Sequence, residues 1–89
     1  MPVVEVPSRY RIPTQGEGRI EVDARTVREC ITAVEARYPG FEELIVDAKG
    51  GLHRFVRLFV NGDELARDAL DTPVASDDKV AILAAAAGG

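Results

Sequence analysis

Hydrophobic and polar positions change period along this chain, and each change marks an element. Residues 3–6 form a short, mostly β-branched run closed by Pro7. Over residues 18–24, Ile20 and Val22 alternate with Arg19, Glu21 and Asp23, the period of two expected of a half-buried strand. Pro13, Gly16 and Gly18 punctuate the segment between, so TQGEG is the expected turn of a hairpin joining the two strands. The period then lengthens. Val27, Cys30, Ile31, Val34 and Tyr38 recur at three- and four-residue spacing and mark the apolar face of a helix. Arg28, Glu29, Thr32, Glu35 and Arg37 fill much of the remaining circumference. Thr26-Val-Arg-Glu29 matches a capping box, in which hydroxyl and carboxylate satisfy backbone amides that have no partner inside the helix. Pro39-Gly40 ends it. Residues 41–47 mix acids with Phe41, Leu44, Ile45 and Val46, which predicts a short helical turn, and Lys49-Gly50-Gly51 predicts a flexible connection.

Strand character returns over residues 54–60. Val56, Leu58 and Val60 share one face; Phe55, Arg57 and Phe59 share the other. Apolar groups on both faces predict a central strand. Asn61-Gly62-Asp63 is hairpin-turn chemistry, since Asn and Gly tolerate positive φ. Residues 64–66 are expected to pair briefly after it. Asp77-Asp78 makes a further turn before a last strand over 79–83, where Val80 and Ile82 alternate with Ala81 and Leu83. The expected order is β-β-α-β-(short β)-β.

Eighty-nine residues make one domain, and folding at this size hides roughly 60–70% of the extended chain's surface. That leaves little room for a walled substrate pocket. Hydrophobic residues at 46% and charged residues at 29% lie in the globular range and exclude a low-complexity tail. Fifteen Asp and Glu against eleven Lys and Arg give a net charge of -4. No basic run is present to neutralise phosphates, so nucleic acid is not an expected partner. A mildly acidic surface instead suits a positively charged protein partner. The single Cys30 forms no internal disulfide. The start, MPVVEVPSRYR, lacks the pattern of a secretory signal, and no apolar run approaches the roughly 18 residues of a membrane span. The expectation is a cytoplasmic protein without membrane partners.

After Leu83 the sequence reads Ala84-Ala85-Ala86-Ala87-Gly88-Gly89, which divides the chain into a domain over 1–83 and an extended tail over 84–89. Six extended residues reach about 20 Å, against a radius of gyration of roughly 12 Å expected for the body. Small side chains can thread a narrow channel, and glycine lets another backbone or a nucleotide approach closely. The reactive group of such a tip is the α-carboxylate of Gly89. The plain alternative is a frayed terminus. A strand running almost directly into the tail, with Gly-Gly as its last residues, favours a working tip.

The β-β-α-β-β order, the helix TVRECITAVEARYPG, the strand and turn LHRFVRLFVNGDE and the final AAGG resemble the ubiquitin-like β-grasp sulfur carriers of the MoaD/ThiS family over nearly the whole chain. The segment GGLHRFVRLFVNGDE is most similar to the CysO-type branch, associated with cysteine synthesis. Arg57 departs from the pattern, since many members carry Asn or another small polar residue there. The resemblance implies an α+β, ubiquitin-like β-grasp fold: a mixed sheet of four to five strands packed on one main helix. It also implies a carrier and protein co-substrate rather than an enzyme. A carboxylate with a pKa near 3.3–3.7 is ionised at neutral pH and a poor electrophile. In the family an activating adenylyltransferase of the MoeB/ThiF type uses ATP to adenylate the terminal glycine, here Gly89. A sulfur donor, such as a rhodanese or cysteine desulfurase, then supplies the sulfur of a C-terminal thiocarboxylate. Ala86, Ala87 and Gly88 would be read by the partner as the tail. The acceptor would be a synthase making cysteine (a PLP-dependent cysteine synthase), molybdopterin or thiamin thiazole. No cofactor is expected on the chain itself, which has neither a GxxxxGK[ST] loop nor metal-ligand spacing.

Strand alternation also predicts a docking face. If Val56, Leu58 and Val60 face the helix, then Phe55, Arg57 and Phe59 point away from it, with Leu83 of the last strand beside Phe59. Apolar side chains among charges mark interfaces; the alternative is cover by the 41–49 loop. Cys30, on the apolar helix face, reads as core. His53 has no neighbouring pattern that suggests catalysis, and Glu42-Glu43 and Asp77-Asp78 read as solvated acids. Two further functions share these features: a ubiquitin-like modifier joined through Gly89 to other proteins, and a non-reactive β-grasp interaction subunit.

Overall fold

The main helix starts where its cap is formed. In the computed structural model, which describes residues 1–85, helix α1 spans Val27–Arg37. The Thr26 hydroxyl accepts from the Glu29 N–H at 3.1 Å. The Glu29 carboxylate reaches back to the Arg25 N–H at 3.0 Å, one residue before the amide that a regular capping box would satisfy. The next two amides are met from outside the helix, Val27 by the Thr72 carbonyl and Arg28 by the Leu70 carbonyl. Val27, Cys30, Ile31 and Val34 are buried, as their spacing predicts, and Tyr38 is half-buried at the C-cap. Gly40 ends the helix at φ +101°, a conformation that favours glycine. The Glu35 carboxylate then accepts from the N–H of Gly40 and of Glu42, joining the end of α1 to a one-turn helix α2, Glu42–Ile45.

Strands β1 (Val3–Glu5), β2 (Arg19–Glu21), β3 (Val56–Val60), β4 (Asp63–Glu64) and β5 (Lys79–Ala84) form one sheet in the order β2-β1-β5-β3-β4. β1 pairs antiparallel with β2 and parallel with β5; β5 pairs antiparallel with β3, and β3 with β4. This is the mixed five-stranded, one-helix arrangement expected. The centre of the sheet, however, is β5 and not the 54–60 strand. β3 has only the two-residue β4 on its outer side, and the apolar residue on its second face, Phe59, is half-buried beside the exposed Arg57.

The β1–β2 connection is longer than a tight hairpin. It winds through a 3₁₀ turn at Ser8–Tyr10, which buries Tyr10, before turning at Gln15 and Gly16, both at positive φ. Thr14 is buried there, its hydroxyl 2.9 Å from the Glu17 carbonyl. The Asn61-Gly62 turn forms as predicted, with φ of +51° and +87°, the signature of a type I′ hairpin. Asn61 also bonds the start of β5: its side-chain NH2 donates to Asp78, and its side-chain oxygen accepts from the Lys79 N–H. Leu58, Val80 and Ile82 from β3 and β5 meet Val27, Ile31 and Val34 of α1 in the core. The radius of gyration, 11.7 Å, matches the value expected for one small domain.

Candidate functional site

The site is built around the place where the chain leaves the sheet. The β3–β5 register opposes Val56 to Ala84, Arg57 to Leu83, Leu58 to Ile82 and Phe59 to Ala81. β5 therefore runs one residue beyond the strand predicted, and the Ala85 N–H still donates to the Phe55 carbonyl at 2.7 Å. Tail residues 84 and 85 belong to, or are held by, the sheet. Ala86, Ala87, Gly88 and Gly89 lie outside the described residues.

Beside this exit is the outer face of the sheet. Leu58 and Ile82 are buried against the core, so alternation turns Arg57, Phe59, Ala81 and Leu83 the other way. Leu83 is 47% exposed and Phe59 is half-buried. The Arg57 guanidinium lies 5.7 Å from the centre of the Phe59 ring. It also forms a two-pronged pair with the Glu64 carboxylate, at 2.8 and 2.6 Å. Each group holds the other charged: the guanidinium pulls the Glu64 carboxyl below its usual range, and the carboxylate pushes Arg57 up. An exposed pair of this kind adds little stability. Its effect is to hold the arginine over the Phe59 ring.

Phe55 does not join that patch. Alternation places it with Arg57 and Phe59, but β3 begins only at Val56, whose N–H donates to the His53 carbonyl in a tight turn. The turn breaks the period. Phe55, 41% exposed, lines instead a groove of about 660 Å³ with Tyr10, Ile12, Pro13 and Leu44. The 41–49 loop thus approaches Phe55 through Leu44, leaving Arg57, Phe59 and Leu83 as the outer-face cluster. Ile12, 89% exposed, escaped the sequence reading; an isoleucine beside Pro13 in a turn segment was the available signal.

The other candidate groups are structural. Cys30 is fully buried, and burial pushes its thiol up to about 11, so almost no thiolate exists at neutral pH. The His53 ring bonds the Glu43 carbonyl through Nε2 at 2.8 Å. Asp78 accepts from the Ala75 N–H and the Asn61 side chain, which hold its carboxyl below the usual range. Among the described residues no group of three or more His, Cys, Asp or Glu could hold a metal ion. No helix among them is long and apolar enough to cross a membrane.

The profile of the ThiS family matches residues 4–89. The chain is 36% identical to proteins named "Sulfur carrier protein CysO" from Mycobacterium tuberculosis and Mycobacterium bovis, covering 97% of this chain and 96% of theirs. Its structure is similar to a crystal structure of the Amycolatopsis orientalis BexX/CysO complex, with a TM-score of 0.90, 34% identity and full coverage of both chains. It is also similar to crystalline CysO of Mycobacterium tuberculosis, with a TM-score of 0.89 and 32% identity over 97% of this chain and all of that one. The small archaeal modifier SAMP1 of Haloferax volcanii, at 21% identity and a TM-score of 0.75 over 99% of this chain and 98% of its own, shares the ubiquitin-like fold alone.

Proposed function

The chain belongs to the ThiS family, and on that premise we propose that it is a sulfur carrier whose cargo is attached at the carboxylate of Gly89. The observation that carries the reading is 36% identity, over nearly the whole of both chains, with proteins named sulfur carriers. The geometry at the exit agrees with it. β5 ends at Ala84 and the Ala85 N–H is bonded to Phe55; four residues of chain can reach about 14 Å, the reach this reading asks of Gly89. In this reading the domain supplies the grip and the last four residues enter a partner's catalytic site.

The chemistry belongs to the partners. An adenylyltransferase of the MoeB/ThiF type transfers AMP from ATP to the Gly89 carboxylate, releasing pyrophosphate and turning a poor electrophile into a mixed anhydride. Hydrosulfide attack at that carbonyl expels AMP and leaves a thiocarboxylate. When the sulfur arrives as a persulfide on a rhodanese or cysteine desulfurase, a further thiol must cleave the sulfur–sulfur bond. The thiocarboxylate then attacks an electrophile held by a synthase; by likeness to the CysO proteins, a PLP-dependent cysteine synthase is the favoured acceptor. Arg57, Phe59 and Leu83 form the docking face, and Ala86, Ala87 and Gly88 are the residues the channel reads. This chain acts as co-substrate throughout and not as an enzyme.

Carrier-dependent ATP–pyrophosphate exchange by such an adenylyltransferase tests the reading, with the enzyme's own carrier as positive control. The full chain should support exchange and the chain lacking Gly89 should not. Exchange that survives the deletion places activation elsewhere and overturns the proposed attachment site.

A further inference from the structure

The groove beside Phe55 lies apart from the outer-face cluster of Arg57, Phe59 and Leu83. Three separate segments build it: Tyr10, Ile12 and Pro13 from the β1–β2 connection, Leu44 from α2, and Phe55 from the turn before β3. Tyr10 is buried, whereas Ile12, Leu44 and Phe55 remain exposed. Single exposed apolar residues are ordinary on a protein surface; several converging on one concavity mark a contact site. At about 660 Å³ the groove has the volume of an ordinary ligand site, enough for a few side chains of a peptide.

Charge selects what kind of peptide. The chain carries fifteen carboxylate side chains and eleven Lys and Arg, yet the ionised residues lining the groove are Arg9 and Arg54, with no carboxylate among them. Arg54 stands with its guanidinium 5.4 Å from the Phe55 ring centre, so charge and apolar surface are presented together. Four acidic residues, Glu35, Glu42, Glu43 and Asp47, line instead an adjoining cleft that meets the groove at Gly40.

We propose that this groove binds a short segment of a partner protein that presents apolar side chains beside a carboxylate. The apolar groups pack on Tyr10, Ile12, Leu44 and Phe55, and the carboxylate faces Arg9 and Arg54. A second copy of the chain is the poorer occupant, because a two-fold contact would set one arginine rim against the other. The inference rests on the groove alone and is independent of any chemistry at Gly89.

The test is a ¹⁵N-edited NMR titration of the full chain at low salt with two peptides, acetyl-Leu-Leu-Asp-Glu-amide and acetyl-Leu-Leu-Lys-Lys-amide. The acidic peptide should shift the amides of Tyr10, Ile12, Leu44 and Phe55 and bind tighter by on the order of five-fold, the scale of one or two exposed charge pairs. Arg54→Gln should narrow that difference, and Phe55→Ser should weaken both peptides. Both variants replace exposed side chains and should keep the dispersed spectrum of the parent. Equal binding of the two peptides, shifts centred on Phe59 and Leu83, or no shift at millimolar peptide would overturn the proposal. So would groove shifts that depend on protein concentration without peptide, which would assign the surface to self-association.

Discussion

The N–H of Ala85 donates to the carbonyl of Phe55 at 2.7 Å. This bond lies one residue past the last β5 pairing and ties Ala85 to the sheet. It makes the direction of the exit a property of the sheet. Replacing Ala85 with Pro removes the donor without adding a charge. In the proposed carrier, Ala85→Pro should lower loading at subsaturating concentrations, because the tip is presented less uniformly. Loading kinetics equal to those of the parent would show that the bond plays no part.

The outer face should contribute to binding rather than to chemistry. Phe59→Ala removes a half-buried ring held under Arg57. In steady-state activation assays it should raise the KM for the carrier by about ten-fold, the cost of losing one interface anchor. The kcat should stay near that of the parent, as for loss of binding shared by ground and transition states. Thermal unfolding should confirm that the variant still folds. An unchanged KM would remove this face from the docking surface.

Cys30 is expected to be a bystander. Its buried thiol, with the pKa pushed to about 11, should resist thiol reagents at neutral pH until the protein is denatured. Cys30→Ala should cost on the order of 1 kcal/mol of stability and leave sulfur loading intact. A labelled native Cys30, or loss of loading in a folded alanine variant, would contradict this assignment.

The cap at Thr26 gives a stability prediction. Thr26→Ala deletes the acceptor for the Glu29 N–H and should cost about 1 kcal/mol, lowering the thermal midpoint by roughly 4–8 °C for a domain of this size. Calorimetry reads it directly. The sequence made this end of α1 plain, because capping depends on residues close in the chain. What it could not supply was the one-residue displacement of the Glu29 contact, or the Thr72 and Leu70 carbonyls that satisfy the next amides. Those partners are brought in by tertiary packing. The same distinction explains the sheet. The strands and the Asn61-Gly62 turn were legible from local pattern, whereas the central place of β5 follows from its parallel pairing with β1, a long-range contact. The outer-face position of Arg57, Phe59 and Leu83 was legible from alternation. Phe55 was not, because the turn from His53 to Val56 interrupts the period it was counted in.

Acid should weaken the fold in a defined direction. Asp47, Glu64 and Asp78 all titrate below their ordinary values. Backbone N–H groups of Gly51 and Lys49 hold Asp47, Arg57 holds Glu64, and the Ala75 N–H with the Asn61 amide holds Asp78. A carboxyl whose folded value is depressed stabilises the fold above its unfolded value, and that stability is lost as pH falls through the folded value. Unfolded Asp and Glu titrate near 4. The thermal midpoint should therefore decline below about pH 4, and Asp78→Asn should flatten the decline. A midpoint independent of pH between neutral and pH 3 would contradict these assignments.

The central claim is that Gly89 carries sulfur, and intact-mass spectrometry reads it most directly. The full chain is incubated with a competent ThiF-like adenylyltransferase, ATP, magnesium and sulfide, beside the same chain without Gly89. The account predicts a single mass increase, that of one oxygen exchanged for one sulfur, in the full chain and none in the deletion. An unchanged mass while the enzyme loads its own carrier, or covalent ladders joined to lysines in place of the exchange, would contradict it.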